Sequence, residues 1–170
     1  GTTVSAMTFI TRMIFLDEEA YPVFVPQNEG MLAPVNVIAP KGSIFNPNYP
    51  RACFARFCQV QRAVDLALRA LAPVIPNQIT AGNSAHLHFL AYSGFVEEEG
   101  EYWVYLEVDE GSYGGRPGRD GLDSVDCLIA NTRNNPIEEL DMRFPVRCDQ
   151  YELRPEPAAP GKWRGGIGII

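Results

Sequence analysis

The chain has 170 residues, 46% of them hydrophobic and 21% charged, with a formal net charge of -7. That length and apolar content allow one sizeable core and exclude a disordered chain. The acidic balance argues against nucleic acid or an anionic membrane surface as partner, and no apolar run reaches the roughly 18 residues that a membrane-spanning helix needs.

Taken in order, the first predicted element is a helix from Thr3 to Leu16, with Val4, Met7, Phe9, Ile10, Met13 and Ile14 mostly on one face. The start, Gly1-Thr2-Thr3-Val4, does not read as a signal peptide; it leaves the helix without an entry, and a cytoplasmic location is expected. Pro22, Pro26 and Asn28-Glu29-Gly30 mark turns, and Val35 to Ile38 reads as a short strand. Lys41-Gly42-Ser43 is another turn, Asn46 to Pro50 a rigid loop, and Cys53 to Phe57 a strand candidate.

The longest periodic run follows. Val60, Val64, Leu68 and Leu71 recur at helical spacing, predicting an amphipathic helix from about Gln59 to Ala72, closed by Pro73 and Pro76. Asp65 and Arg69 stand as an i,i+4 pair. Beyond it the chain turns β-rich. His86 to Leu90 and Tyr102 to Val108 are strand-like, with the acidic turn Glu97 to Gly100 between them. Pro136 to Met142 reads as a short helix with proline at its first turn. Val146 to Leu153 is a further strand candidate, and Gly165 to Ile170 the start of another.

The fold class expected is α+β, mixed strands with one long amphipathic helix (about 59–72), part of a larger subunit fold. Residues 1–170 read as a partial domain truncated at both ends, since each end falls inside an apolar element.

The densest candidate for chemistry is the glycine-rich stretch Gly111 to Gly121, with Arg116 and Arg119 as fork donors. It lacks the closing Gly-Lys-Ser/Thr of a phosphate-binding P-loop and the order of a dinucleotide fingerprint. A wide surface loop is the alternative. Asp120, Asp123 and Asp126 follow at i,i+3 spacing, suited to acid–base work, to a cation, or to capping turns. His86 and His88 would face one side of a strand, but no third ligand lies near them in sequence. Cys53, Cys58, Cys127 and Cys148 match no zinc spacing and are expected as free thiols.

Four ordered stretches together resemble the hydantoinase B/oxoprolinase family: Ala39 to Ser43; Gly114-Gly115 with Gly118-Arg119-Asp120-Gly121; Asn131 to Glu138; and Gly161-Lys162-Trp163-Arg164-Gly165-Gly166. The resemblance spans nearly the whole chain but only the middle and later portion of the longer family members. Two positions depart from the pattern: Glu156-Pro157-Ala158-Ala159 replaces a glycine-containing turn, and Asp141 stands where glutamate is common.

The resemblance implies a B-type subunit working with a hydantoinase A-type subunit. That partner binds ATP and Mg and phosphorylates a cyclic amide such as a hydantoin, 5-oxoproline or a lactam. The B-type subunit then completes hydrolysis. Two alternatives are a component of an ATP-dependent ketone carboxylase and a structural interface fragment. A divalent metal would be bound outside this segment, because the histidine- and aspartate-rich part of carboxylase relatives has no match here. The site residues implied are Asp120 and Glu138 as catalytic groups, with Gly114, Gly115 and Arg119 touching substrate and no metal ligand in this chain.

Overall fold

The structure is a computed structural model that describes residues 2–84, 88–109 and 111–170. Two long helices carry the core: α1 (Thr2–Phe15) and α2 (Arg56–Leu71). Ala6 and Ile10 of α1 pack against Val60, Val64 and Leu68 of α2, each pair of neighbours one helical turn apart, so a single stripe from each helix is buried. Met7, Met13, Ile79 and Leu128 close the edges of that cluster. The helix expected over Thr3 to Leu16 forms as α1 and is nearly as long as α2, so the fold does not rest on one long amphipathic helix. α2 is also less cleanly two-sided than its periodicity implies: Leu66 is exposed, while Gln61 is fully buried.

α2 begins at Arg56, whose N–H is accepted by Cys53 O at 3.3 Å, so Arg56 and Phe57 join the helix and the strand expected over Cys53 to Phe57 does not form. It ends after Leu71, where Ala72 N–H still reaches Leu68 O but Pro73 has no N–H to continue the ladder. The Asp65–Arg69 pair expected along this helix is replaced by contacts elsewhere. Asp65 accepts from Asn83 Nδ2 at 2.8 Å and lies 3.8 Å from Arg62. Across the core, Gln78 Nε2 donates to Asp17 at 2.8 Å and ties the segment after α2 to the end of α1.

The sheet is a hairpin of β1 (His88–Val96) and β2 (Glu101–Asp109), antiparallel, with His88 opposite Asp109 and Val96 opposite Glu101. The predicted acidic turn makes the connection, closed by Gly100 N–H to Val96 O at 2.8 Å with Gly100 at φ 69°. Alternation gives the hairpin two unlike faces. One carries Tyr105 and Trp103, whose rings meet Phe144 at 4.9 and 6.0 Å. The other carries Phe89, stacked on Phe54 and Phe57 at 5.4 and 5.1 Å.

α3 (Ile137–Arg143) follows Pro136, one residue later than predicted. Val35 to Ile38 finds no strand partner among the described residues. The two late strand candidates shrink to one bridge, Leu153 with Ile169, flanked by paired bonds between Glu152 and Ile170 and by Arg154 N–H to Gly168 O at 2.9 Å. The predicted strand residues His86 and Leu87 lie outside the described residues.

Candidate functional site

Backbone hydrogen bonds decide what the glycine-rich stretch is. Gly115 O accepts from Ala81 N–H at 2.8 Å and Ser112 O from Ser84 N–H at 3.2 Å. Tyr113 donates to Leu122 O at 3.1 Å and accepts from Gly166 N–H at 2.8 Å, while Gly121 N–H reaches Arg164 O at 2.7 Å. Three stretches distant in sequence (81–84, 111–125 and 164–167) are braided here, and the residues at the crossing are glycines because there is no room for more. A Cβ on Gly114 would overlap Ala81 O, and one on Gly121 would overlap Tyr113 O. The stretch is therefore an internal junction with an exposed tip. At that tip Arg116 and Arg119 exchange two backbone bonds of 3.0 and 2.9 Å around Gly118 at φ 82°.

The three aspartates after it bind chain to chain. Asp120 accepts from Arg164 N–H at 2.9 Å. Asp123 takes both terminal nitrogens of the Arg164 guanidinium at 2.7 and 2.9 Å, and Ile167 N–H at 2.8 Å. The bonds from Arg164, then that from Ile167, hold the Asp123 carboxyl below its ordinary range, and Asp123 in turn raises the Arg164 pKa. Buried Asp126 accepts from Cys127 N–H at 2.6 Å and Thr132 N–H at 2.7 Å, shaping the run that ends in Asn134.

A separate cavity of about 680 Å³ lies between the hairpin, α3 and the C-terminal bridge. Leu90, Tyr92, Tyr105, Ile137 and Leu140 supply apolar wall, and His88, Glu107, Asp109 and Asn134 supply polar groups. Glu107 and Asp109 sit two residues apart near the end of β2 and so point to the same face, with His88 opposite Asp109. Asn134 Nδ2 donates to Glu107 Oε1 at 2.7 Å and to Val108 O at 3.0 Å, which fixes the carboxyl against the strand. Burial pushes the Glu107 pKa up, opposed by the Asn134 hydrogen bond and reinforced by the Asp109 charge. Burial raises Asp109 as well, opposed by His88. A carboxyl with a raised pKa can give and take a proton closer to neutrality than an exposed one. An apolar cavity with a few convergent polar groups has the make-up of a small-molecule site.

The structure places the five sequence-predicted residues outside this cavity's lining. Gly114, Gly115, Arg119 and Asp120 come together at the junction, and Glu138 is exposed on the first turn of α3, between the cavity-lining Ile137 and the Arg143-paired Glu139. Sequence reasoning missed Glu107 and Asp109. The available signal was two carboxylates at alternate positions closing a strand whose residues 102–106 and 108 are Tyr, Trp, Val and Leu.

Among the described residues no three His, Cys, Asp or Glu side chains converge as a metal would need. The four cysteines form no disulfide. Among the described residues no helix is long and apolar enough to cross a membrane.

The family model for Hydantoinase B/oxoprolinase matches residues 1–170. The B subunit of a putative D-/L-hydantoinase from Pseudomonas sp. (strain NS671) is 48% identical over the whole chain, which spans 28% of that relative. The 5-oxoprolinase of Dictyostelium discoideum is 28% identical over 99% of the chain, which spans 12% of it. 5-oxoprolinase 1 of Arabidopsis thaliana is 28% identical over 87% of the chain, or 11% of its own length. No solved structure gives a significant match.

Proposed function

The chain belongs to the hydantoinase B/oxoprolinase family, and from that premise we propose that it is a segment of the B-type subunit of an ATP-dependent hydrolase that opens a cyclic amide, a hydantoin first of all. The observation that carries this reading is the 48% identity, over every residue of the chain, to a protein named as the B subunit of a hydantoinase. That a relative is named as a subunit supports a partner, which we take to be an A-type subunit binding ATP and Mg. ATP answers a chemical need. An amide carbon is a poor electrophile, and transferring a phosphoryl group to its oxygen makes it open to water. A divalent metal, where one is used, belongs in this reading to parts of the protein outside these residues.

Within the segment we keep Gly114, Gly115 and Arg119 as proposed substrate contacts and Asp120 and Glu138 as proposed acid–base groups; Arg119, Asp120 and Glu138 are exposed, whereas Gly114 is buried against Ala81. Asp120 already holds Arg164 N–H, so its replacement tests two duties at once. In the full-length protein with its partner, an acid–base role predicts that Asp120→Ala or Glu138→Ala lowers kcat by about 100-fold or more. A loss of thermal stability with kcat intact assigns the residue to structure instead.

The reaction itself is tested by offering the complex hydantoin, 5-oxoproline or acetophenone, each with ATP, with and without bicarbonate. Ring-opened product from a cyclic amide, independent of bicarbonate, is the expected result. Product only from the ketone, and only with bicarbonate, would replace the hydrolase reading by a carboxylase.

A further inference from the structure

We propose that the cavity between the hairpin and α3 holds the cyclic amide ring, and that Glu107 is the group that carries protons during ring opening. The inference rests on the hydrolase reading and adds to it a place and a residue.

Geometry comes first. Glu107 accepts from Asn134 Nδ2 at 2.7 Å, and the two line the cavity together with Asp109 and His88. Asn134 also holds Val108 O at 3.0 Å, so the carboxyl and the strand that bears it are fixed by one side chain. Ile137 and Leu140 of α3 supply an apolar wall, and Leu90, directly across the strand pair from Glu107, adds apolar surface with Tyr92 on the same hairpin face.

The step balances with ATP and water as co-reactants. Phosphorylation by the partner transfers the terminal phosphoryl group of ATP to the ring oxygen, releases ADP and the amide proton, and leaves the ring carbon bonded to O-phosphate and doubly bonded to nitrogen. Water adds to that carbon, and Glu107 carries one of the water protons to the ring nitrogen. On collapse the C–N bond breaks, its electron pair leaves with nitrogen, and Glu107 delivers the second water proton there. The acyl phosphate that remains is hydrolysed by a second water to carboxylate and inorganic phosphate.

The test uses the full-length protein with its partner, hydantoin and ATP. E107Q is expected to cut ring-opened product by about 100-fold or more, with complex assembly and hydantoin binding within about 3-fold of wild type. Leu140→Trp, which fills the cavity from the α3 side and leaves Glu107 in place, is expected to raise the KM for hydantoin by about 10-fold or more. It carries the test if E107Q fails to assemble. Wild-type turnover with E107Q equally active, or an unchanged KM in L140W, overturns this assignment and leaves the hydrolase reading standing. A wild-type complex that opens no cyclic amide overturns both.

Discussion

Gly121 shows how little freedom the junction has. Its missing side chain is what lets Tyr113 O and the Gly166 backbone lie against it. Gly121→Ala should destabilise the full-length protein by about 1–3 kcal/mol through overpacking. Gly82→Ala, where an added Cβ meets nothing within 4 Å, should stay within about 0.5 kcal/mol. Denaturant midpoints of the two variants check this, and equal costs would show that the junction relaxes freely.

The Arg164–Asp123 fork adds a pH dependence at the same scale. The Asp123 pKa is lowered in the fold, so between the folded and unfolded values the unfolded chain binds more protons. The stability this group contributes is complete above the ordinary aspartate value of about 4 and is lost as pH falls through the folded value. Asp123→Asn should therefore cost stability at neutral pH, and the difference from wild type should shrink on acidification. A difference that grows toward low pH would contradict the sign. The carboxylate is partly exposed, so added salt should weaken the effect.

At the scale of elements, α2 is readable in the sequence because burial against α1 follows helical period, and Val60, Val64 and Leu68 are the residues the pattern names. The hairpin is readable from Tyr102 to Val108 and its acidic turn. The failures have a common physical cause. Val35 to Ile38 has β-branched residues but no neighbour to pair with among the described residues, and a strand is made by its partner. The Cys53 to Phe57 segment is claimed at its end by the first turn of α2.

The cavity is hidden from the sequence for a similar reason: the setting of Glu107 depends on Asn134, 27 positions later in the chain. Asn134 belongs to one of the family stretches, yet nothing local ties it to a strand carboxylate. The junction is legible as a run of glycines, but its role as a crossing requires Ala81, Leu122 and Arg164 as partners.

Gln61 is the departure from pattern inside α2. Its side chain is fully buried, and among the described residues neither its amide oxygen nor its nitrogen has a hydrogen-bond partner. Gln61→Met, which nearly conserves volume, should raise stability by about 1–3 kcal/mol by removing an unsatisfied buried amide. A lower melting temperature in that variant would show that the amide is satisfied in the whole protein. Leu68→Ala, at 2% exposure in the same helix, should cost about 2–5 kcal/mol.

At the scale of the whole molecule, the chain spans 28% of the hydantoinase relative and 12% of the Dictyostelium discoideum oxoprolinase, so the matching segment is part of a larger chain in those relatives. Its own architecture divides the work. The paired helices supply the core, the junction locks three distant stretches together, and the hairpin with α3 leaves a cavity carrying two carboxyls of raised pKa.

The most direct test of the proposed activity is the stoichiometry of the full-length protein with its partner, supplied with hydantoin and ATP. Ring-opened product and ADP should appear in equal amounts, with no product when ATP is withheld. Ring opening that proceeds without ATP, or ADP release that hydantoin does not change, would contradict the account.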